Sequence, residues 1–332
     1  MIDADVHAII TDSGVLAPYL ERQWVEYMSI SQFRGPTDNS YPPSAPTSLR
    51  PDAVGMPPVT VTQLTDAVFA GDVEAAVLSC SYAVDSVHNP NAADALARAV
   101  NRWLADEWLG VDPRLYGTVL VTPQSPADAV RQIEEATGNG RFVQVALPVR
   151  SLSPYGLRGY WPIFEAAAAA GLAVALHFGG SPGLAPTSTG WPTYYAEEYV
   201  DMASSFQVQL ASIVLSGLFS RLPALRLVAA EAGTSWVPGM TWRLDRLWRA
   251  LRREVPWVTS PPSDYLREHV RFTMQPFDAG QSEPEPDMVL YSSDYPHWHG
   301  EDLGQRWLAS LDDSGQAAVL RGNAAGWYGI PR

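Results

Sequence analysis

The sequence predicts an α/β fold, a (β/α)8 barrel or TIM barrel, with a long proline-rich insertion after the first strand. Short apolar runs alternate with longer helical patterns along the 332 residues. Eight of these runs are apolar almost throughout, as expected for strands buried on both faces. A doubly wound sheet is the rival, but it needs a glycine-rich first turn. The first predicted strand is instead followed by Ala8 and Ile9, so the barrel is favoured.

The predicted elements follow one another in the order that a barrel requires. Each strand is a short apolar run, and each helix is a longer segment between two runs. The strands are 2–7, 75–81, 115–121, 142–147, 173–177, 225–231, 270–274 and 288–293. The helices are 91–109, 126–137, 161–170, 197–218, 236–253, 265–269, 301–311 and 315–328.

The exception to this alternation is a long link after the first strand, residues 10–63, rich in Pro, Ser, Thr and Tyr. Loops of this length are usually functional or disordered. Because this one leaves the end of the first strand, it should cover the barrel mouth. We interpret residues 11–63 as a cap over an active site, with a disordered insertion as the alternative. The whole chain, 1–332, is predicted to be a single domain.

Composition excludes several classes of function. A net charge of −14 disfavours nucleic acid, which needs clustered cations. The sequence contains no lysine, which excludes Schiff-base chemistry, a Walker-type phosphate loop and a carboxylated lysine between two metals. Cys80 is the only cysteine, so no intramolecular disulfide or cysteine zinc site forms. We find neither a secretion signal nor a membrane-length apolar run, and expect a cytoplasmic protein.

Residues with metal-binding side chains end three of the predicted strands. Asp5 and His7 lie two residues apart in the first strand, so both point to the same side. His177 ends the fifth strand and Asp294 follows the eighth. Because catalytic groups of barrels gather at the carboxyl ends of the strands, we expect these four side chains to converge. Two imidazoles and two carboxylates predict one divalent metal ion, zinc first, with manganese or iron as alternatives.

Two further residues are candidates for proton transfer. Glu231 ends the sixth strand among small residues that leave space around it. It is interpreted as a base for a metal-bound water or as a further ligand, with a structural strand-end carboxylate as the alternative. Asp294 is the other candidate base. His297 follows it by three residues and is a candidate to orient a ligand or to donate a proton.

The loops after the fourth, fifth and eighth strands supply candidates for substrate binding. Trp191 and Tyr194 lie in the long loop after His177. Trp298 and His299 lie in the loop after Asp294, although the case for His299 is weaker. Arg150 follows the fourth strand and is a candidate to hold a carboxylate, with surface solvation as the alternative. The partner predicted is a small molecule, and the tryptophan-rich helices permit a homodimer.

Four motifs, in this order and spacing, resemble the amidohydrolase superfamily. The resemblance is narrower to the amidohydrolase-related family that includes aminocarboxymuconate semialdehyde decarboxylase and the resorcylate and dihydroxybenzoate decarboxylases. The motifs span nearly the whole chain: Asp3-Ala-Asp-Val-His7, Leu176-His177-Phe-Gly-Gly180, Glu231-Ala-Gly-Thr-Ser-Trp236 and Ser293-Asp294-Tyr-Pro-His297.

The resemblance implies a (β/α)8 barrel with one divalent metal, usually zinc or manganese. It places metal ligands at Asp5, His7, His177 and Asp294. Many members have His-x-His at the first motif, whereas several aromatic-acid decarboxylases have an acidic residue at the position of Asp5. Decarboxylase members also carry an acid/base histidine at the end of the sixth strand, where this chain has Glu231. This departure weakens a direct transfer of the decarboxylase mechanism.

The first hypothesis for function is therefore a metal-dependent hydrolase. Metal-activated water would attack an amide, ester or lactone, with Glu231 or Asp294 as the base and His297 as the donor to the leaving group. The alternative is non-oxidative decarboxylation of an aromatic or unsaturated carboxylic acid. A barrel that binds a ligand without converting it is the third hypothesis. Serine hydrolase chemistry is the main competing enzyme class, and a triad built on Ser204 or Ser293 has no specific support.

Overall fold

A computed structural model describes residues 1–33, 35–36, 60–180, 183–278, 283–297, 299 and 303–331. Eight parallel strands form one sheet in the order of the sequence, from β1 to β8. Backbone hydrogen bonds from Ala4 to Tyr291 and from His7 to Tyr295, each 2.8 Å, join the first strand to the segment after the last. The predicted (β/α)8 barrel is confirmed. Its strands are β1 (Ile2–His7), β2 (Ala75–Ser79), β3 (Leu115–Leu120), β4 (Phe142–Pro148), β5 (Ala173–His177), β6 (Leu227–Ala230), β7 (Val270–Thr273) and β8 (Val289–Leu290).

Helices surround the sheet, and each long predicted helix has a counterpart within a few residues of its expected bounds. The predicted helix 315–328 is divided by a wider π-type turn at Ala318–Gly322, and a similar turn extends α3 over Ala105–Leu109. The helices are α1 (Arg22–Ser31), α2 (Val61–Val68), α3 (Pro90–Leu104), α4 (Pro126–Ala136), α5 (Trp161–Ala169), α6 (Tyr195–Ser216), α7 (Leu218–Arg221), α8 (Val237–Leu251), α9 (Pro262–His269), α10 (Leu303–Ser310), α11 (Asp313–Ala317) and α12 (Asn323–Tyr328).

Two helices after β1 were not predicted from the sequence. Helix α2 begins at a capping box, in which the side chains of Thr60 and Gln63 bond to each other's backbone amides. This motif is a local signal that the apolar-run pattern overlooks. Helix α1 belongs to the predicted cap, and it has no buried residue that would mark a core-facing stripe. Residues 34 and 37–59 of the cap lie outside the described residues.

The barrel encloses its own apolar cluster, separate from the larger one between the sheet and the helices. Small side chains on six strands contact one another across the interior, among them Ala4, Ala75, Ala173 and Ala230. Large residues of α12 and the chain end join this cluster. They are Trp327, Tyr328 and Ile330. Small strand residues therefore leave space that the C-terminal segment fills, which closes the amino end of the barrel. Within the described part of the chain, no helix is long and apolar enough to cross a membrane.

Candidate metal centre

The strand ends bring five side chains into one cluster, the metal-site cluster of Asp5, His7, His177, Glu231 and Asp294. The Oε1 atom of Glu231 lies 3.2 Å from both His7 Nε2 and His177 Nε2. Carboxylate oxygens of Asp5 lie 3.6 Å from His7 Nε2 and 3.7 Å from His177 Nε2. Asp294 Oδ1 lies 2.8 Å from His7 Nε2. The structure therefore brings together all four predicted ligands, with Glu231 between the two imidazoles.

Local backbone features aim these side chains inward. The pairing of β1 with β2 changes register between Asp3 and Val6, so the strand is irregular in the segment that contains Asp5. Glu231 and Asp294 have φ angles of 56° and 54°, in the left-handed region that non-glycine residues rarely adopt. Each such residue costs on the order of 1–3 kcal/mol, and residues of this kind cluster at functional sites.

Hydrogen bonds hold both of these strained residues. The backbone N–H of Glu231 donates to Thr273 Oγ1 at 2.8 Å, which ties the end of β6 to β7. The backbone N–H of Asp294 donates to the Asp5 carbonyl at 3.0 Å. Both strand ends are thus attached to a neighbouring strand, and the conformation of each of these two residues depends on residues far away in the sequence.

Three histidines surround the buried carboxylate of Asp294. His7 Nε2 and His297 Nδ1 lie 2.8 Å and 2.9 Å from its Oδ1 atom. His299 Nε2 lies 2.6 Å from Oδ2. His297 and His299 therefore contact the cluster through Asp294, so His299, predicted to bind substrate, also contacts a predicted ligand.

The donor set fits a divalent cation. Four polar atoms of the cluster are buried without a hydrogen-bond partner among the described residues: both carboxylate oxygens of Asp5, His177 Nε2 and Glu231 Oε1. The ligand atoms of Asp5, His7, His177 and Glu231 all lie within 4.8 Å of one another. Burying unpaired polar groups costs free energy, and bringing carboxylates together adds repulsion. A cation at this position would offset both costs.

Electrostatics at the cluster favour positive charge. Burial by itself lowers the pKa of His177, but the carboxylates of Glu231 and Asp5 raise this pKa to about 9. Burial also lowers the pKa of His7. The charge of Asp5 and the contacts with Asp294 and Glu231 outweigh this effect, so the pKa of His7 lies well above its usual value. Burial raises the pKa of Asp294, but its histidine neighbours, His297 first, hold it well below the usual range. The same field would attract a metal ion.

A cavity of about 970 Å³ opens above the cluster. His177, Glu231, Asp294, His297 and His299 lie in its wall. Described parts of the predicted cap line another side. These are Thr11, Ser13, Gly35 and Pro36. The volume accommodates a small organic molecule with several ring substituents.

Aromatic rings and one buried ion pair form another part of the wall of this cavity. Phe178 and Tyr199 have ring centroids 5.8 Å apart, and Tyr195 lies 6.3 Å from Tyr199. Beside them, Arg150 Nη2 lies 2.8 Å from Glu198 Oε1, and Glu198 is 2% exposed. The predicted residue Arg150 thus faces the cavity, but a carboxylate of α6 already contacts its guanidinium.

Other predicted substrate-binding residues lie elsewhere. Trp191 is 64% exposed and Tyr194 is 69% exposed, and neither is among the described residues that line the cavity. Trp298 lies outside the described residues. Sequence reasoning overlooked Glu198 and Tyr199, since acidic and aromatic residues at the start of a helix also occur for structural reasons. Their helical spacing from Tyr195 was the available signal.

Comparisons with known proteins agree with this fold. A family model described as Amidohydrolase matches residues 2–330. The chain is 24% identical over 285 residues to gamma-resorcylate decarboxylase of Polaromonas sp. strain JS666, covering 78% of this chain and 84% of that protein.

Two solved structures cover this chain almost completely. The 5-carboxyvanillate decarboxylase LigW of Sphingomonas paucimobilis is 20% identical, with a TM-score of 0.71 over 100% of this chain and 99% of that one. The dihydroxybenzoic acid decarboxylase of Polaromonas sp. JS666, with bound manganese and the inhibitor 2-nitroresorcinol, is 20% identical, with a TM-score of 0.67 over 100% and 97%. These likenesses show the shared fold, and the family match over nearly the whole chain shows that this protein belongs to the amidohydrolase family.

Proposed function

We propose that this protein is a metal-dependent, non-oxidative decarboxylase of an aromatic carboxylic acid. The observation that carries the proposal is the position of the metal-site cluster at the base of a cavity with an aromatic wall. The curated relative and two solved relatives named above are decarboxylases of substituted benzoic acids. This was the alternative hypothesis from the sequence, and the comparisons support it better than they support the hydrolase.

Asp5, His7, His177 and Asp294 are the proposed metal ligands. When bound, a divalent metal would chelate the substrate carboxylate with a neighbouring hydroxyl oxygen and withdraw electron density as a Lewis acid. We expect manganese at this site, because solved relatives hold manganese and the cluster is rich in carboxylates. This replaces zinc, which the sequence favoured.

The remaining step is protonation of the ring carbon that bears the carboxylate. The carbon–carbon bond breaks, its electron pair stays with the ring, the ring carbon takes one proton, and carbon dioxide leaves. No oxidant and no net water are consumed. His297 and His299 are the proposed proton-holding groups, since both line the cavity and their imidazole nitrogens lie 2.9 Å and 2.6 Å from the carboxylate oxygens of Asp294, which orient them.

The cavity wall orients the substrate in this proposal. Phe178, Tyr195 and Tyr199 present ring surface to the aromatic ring. Arg150, held by Glu198, supplies hydrogen-bond donors to polar ring substituents.

Decarboxylation is tested with metal-stripped protein reloaded with Mn²⁺ and a panel of ortho-hydroxylated benzoic acids. We expect release of one carbon dioxide per phenol formed, and deuterium at the former carboxyl position when the reaction runs in D₂O. Omission of the metal is the control. Stoichiometric metal binding with no carbon dioxide from any member of the panel would contradict the proposal.

Hydrolysis remains the second candidate because of one observation. At the end of β6 the chain has the carboxylate of Glu231, where decarboxylases of the family resembled carry a histidine. A carboxylate there is suited to accept a proton from water. Metal-dependent cleavage of a lactone or ester panel, with ¹⁸O from water in the acid product, would favour this candidate over decarboxylation.

A further inference from the structure

We propose that Glu231 is itself a metal ligand, so that the centre contains three carboxylates and two imidazoles. The inference rests on one part of the proposed function, the binding of a metal at the metal-site cluster, and not on the reaction. It assigns to Glu231 a role in coordination instead of proton transfer. The resulting donor set favours a hard divalent cation such as Mn²⁺ over Zn²⁺.

The position of Glu231 Oε1 carries this inference. The atom lies 3.2 Å from His7 Nε2 and 3.2 Å from His177 Nε2, the two imidazole nitrogens of the proposed ligand set. It is buried and has no hydrogen-bond partner among the described residues. Because this oxygen is equally distant from the two imidazole nitrogens, it can bind the same ion that they bind.

Glu231 also belongs to two overlapping groups of possible metal ligands. Its ligand atom lies within 4.8 Å of those of Asp5, His7 and His177, and within the same distance of those of His7, Asp294 and His297. Among the residues described, Glu231 and His7 are the two that belong to both groups. Glu231 therefore lies where these two groups overlap, so an ion bound by either group would be close to its carboxylate.

The backbone around Glu231 maintains this orientation. Its left-handed conformation is held by the bond from its N–H to Thr273 Oγ1. Beyond it, Asp278 accepts hydrogen bonds from the backbone of Thr234 and Ser235, at 2.6 Å and 3.1 Å. The chain thus fixes both sides of a strained residue, as expected where a side chain must reach one point.

Three carboxylates change the chemistry of the centre. Carboxylate oxygens suit manganese, whereas zinc sites are commonly tetrahedral with nitrogen and sulfur ligands. The charge of Asp5, Glu231 and Asp294 together exceeds that of a divalent ion by one. Approach of a doubly charged substrate is therefore opposed, so the acid is expected to bind as a monoanion with its hydroxyl group protonated.

The test measures metal binding to metal-stripped protein in the absence of substrate. In Glu231→Gln, we expect the dissociation constant of Mn²⁺ to rise at least about tenfold, and that of Zn²⁺ to rise less, because the variant loses a charged oxygen ligand. The matched control is Glu268→Gln, which makes the same substitution at a side chain that is 70% exposed and lies outside the described residues that line the cavity. Its effect should stay below about fivefold, because solvent screens an exposed charge.

Unchanged affinity for Mn²⁺ in Glu231→Gln would overturn the inference, whether or not turnover falls. A second measurement does not depend on the variant folding. In crystals of the wild-type protein with Mn²⁺, located by anomalous scattering, a Glu231 oxygen should contact the ion. An ion bound without that contact would also overturn it. Failure of decarboxylation would leave both results standing, so the two proposals fail separately.

Discussion

The two ends of the barrel solve the problem of buried polar groups in opposite ways. At the amino end, Gln144 Nε2 donates to Thr118 Oγ1 at 2.8 Å, and the Tyr328 hydroxyl donates to Gln144 Oε1 at 3.1 Å. At the carboxyl end, both oxygens of Asp5 lack a hydrogen-bond partner among the described residues. At the amino end these polar side chains bond to one another and Trp327 Nε1 lacks a partner among the described residues, whereas the unpaired atoms at the carboxyl end include carboxylate oxygens that a cation would bind.

This difference separates stability from function within one fold. Trp327 and Tyr328 close the amino end with apolar surface and a satisfied hydrogen bond, so changes there should act on folding. The metal-site cluster carries unpaired charge and two strained residues, so changes there should act on binding. Conservation at the two ends of a barrel follows the same division of roles.

Removal of the metal should produce the largest effect. Chelation is expected to abolish turnover and to lower stability, because carboxylates then converge with no cation between them. Return of Mn²⁺ at about 100 times its dissociation constant should raise the free energy of unfolding by about 2.7 kcal/mol. Thermal denaturation with and without metal measures this. Identical melting temperatures in both states would remove the contrast between the two ends.

Truncation at the amino end should affect folding without affecting the metal. Trp327→Ala is expected to cost about 3–5 kcal/mol of unfolding free energy, because it leaves a cavity inside the barrel. It also removes the ring that lies 4.1 Å beneath the Arg271 guanidinium. Urea denaturation gives the stability, and titration of folded protein gives the Mn²⁺ affinity. A weakened affinity in the folded variant would show that the two ends are coupled.

Removal of one hydroxyl at the amino end should have the smallest effect. Tyr328→Phe leaves Gln144 Oε1 buried with one partner fewer, which costs about 1–3 kcal/mol. The metal affinity should match that of the unchanged protein. Denaturation of this variant beside Trp327→Ala separates the hydrogen bond from the packing. If Tyr328→Phe lowers the free energy of unfolding as much as Trp327→Ala does, the hydrogen bonds of Gln144 and Tyr328 stabilise this end as much as the packing of Trp327 does.

Much of the fold was predictable because parallel strands carry a local signal. Runs such as 173–176 are apolar throughout, since both faces of a barrel strand are buried, and helices must connect such strands. The predicted sixth strand begins two residues before the observed one, and the observed eighth strand is shorter than the predicted one. The ends of a strand depend on backbone pairing with neighbouring strands, and the apolar run of one strand contains no information about that pairing.

The predicted ligands converge because barrel geometry brings all strand ends to one mouth. That rule needs only the order of the strands and the identity of the residue at each end. The rule could not predict the contacts of Arg150 and His299. Arg150 meets Glu198, which a helix supplies 48 positions later, and His299 reaches Asp294 through a loop whose course is not set by apolar periodicity.

The sequence by itself determined the barrel, the absence of lysine chemistry, and the side chains Asp5, His7, His177 and Asp294 at strand ends. These follow from composition and from patterns repeated over a few residues. Only the tertiary structure decided the position of Glu231 between two imidazoles and the closure of the amino end by Trp327. Both depend on distances between residues remote in the chain, which are set by packing and strand register instead of local pattern.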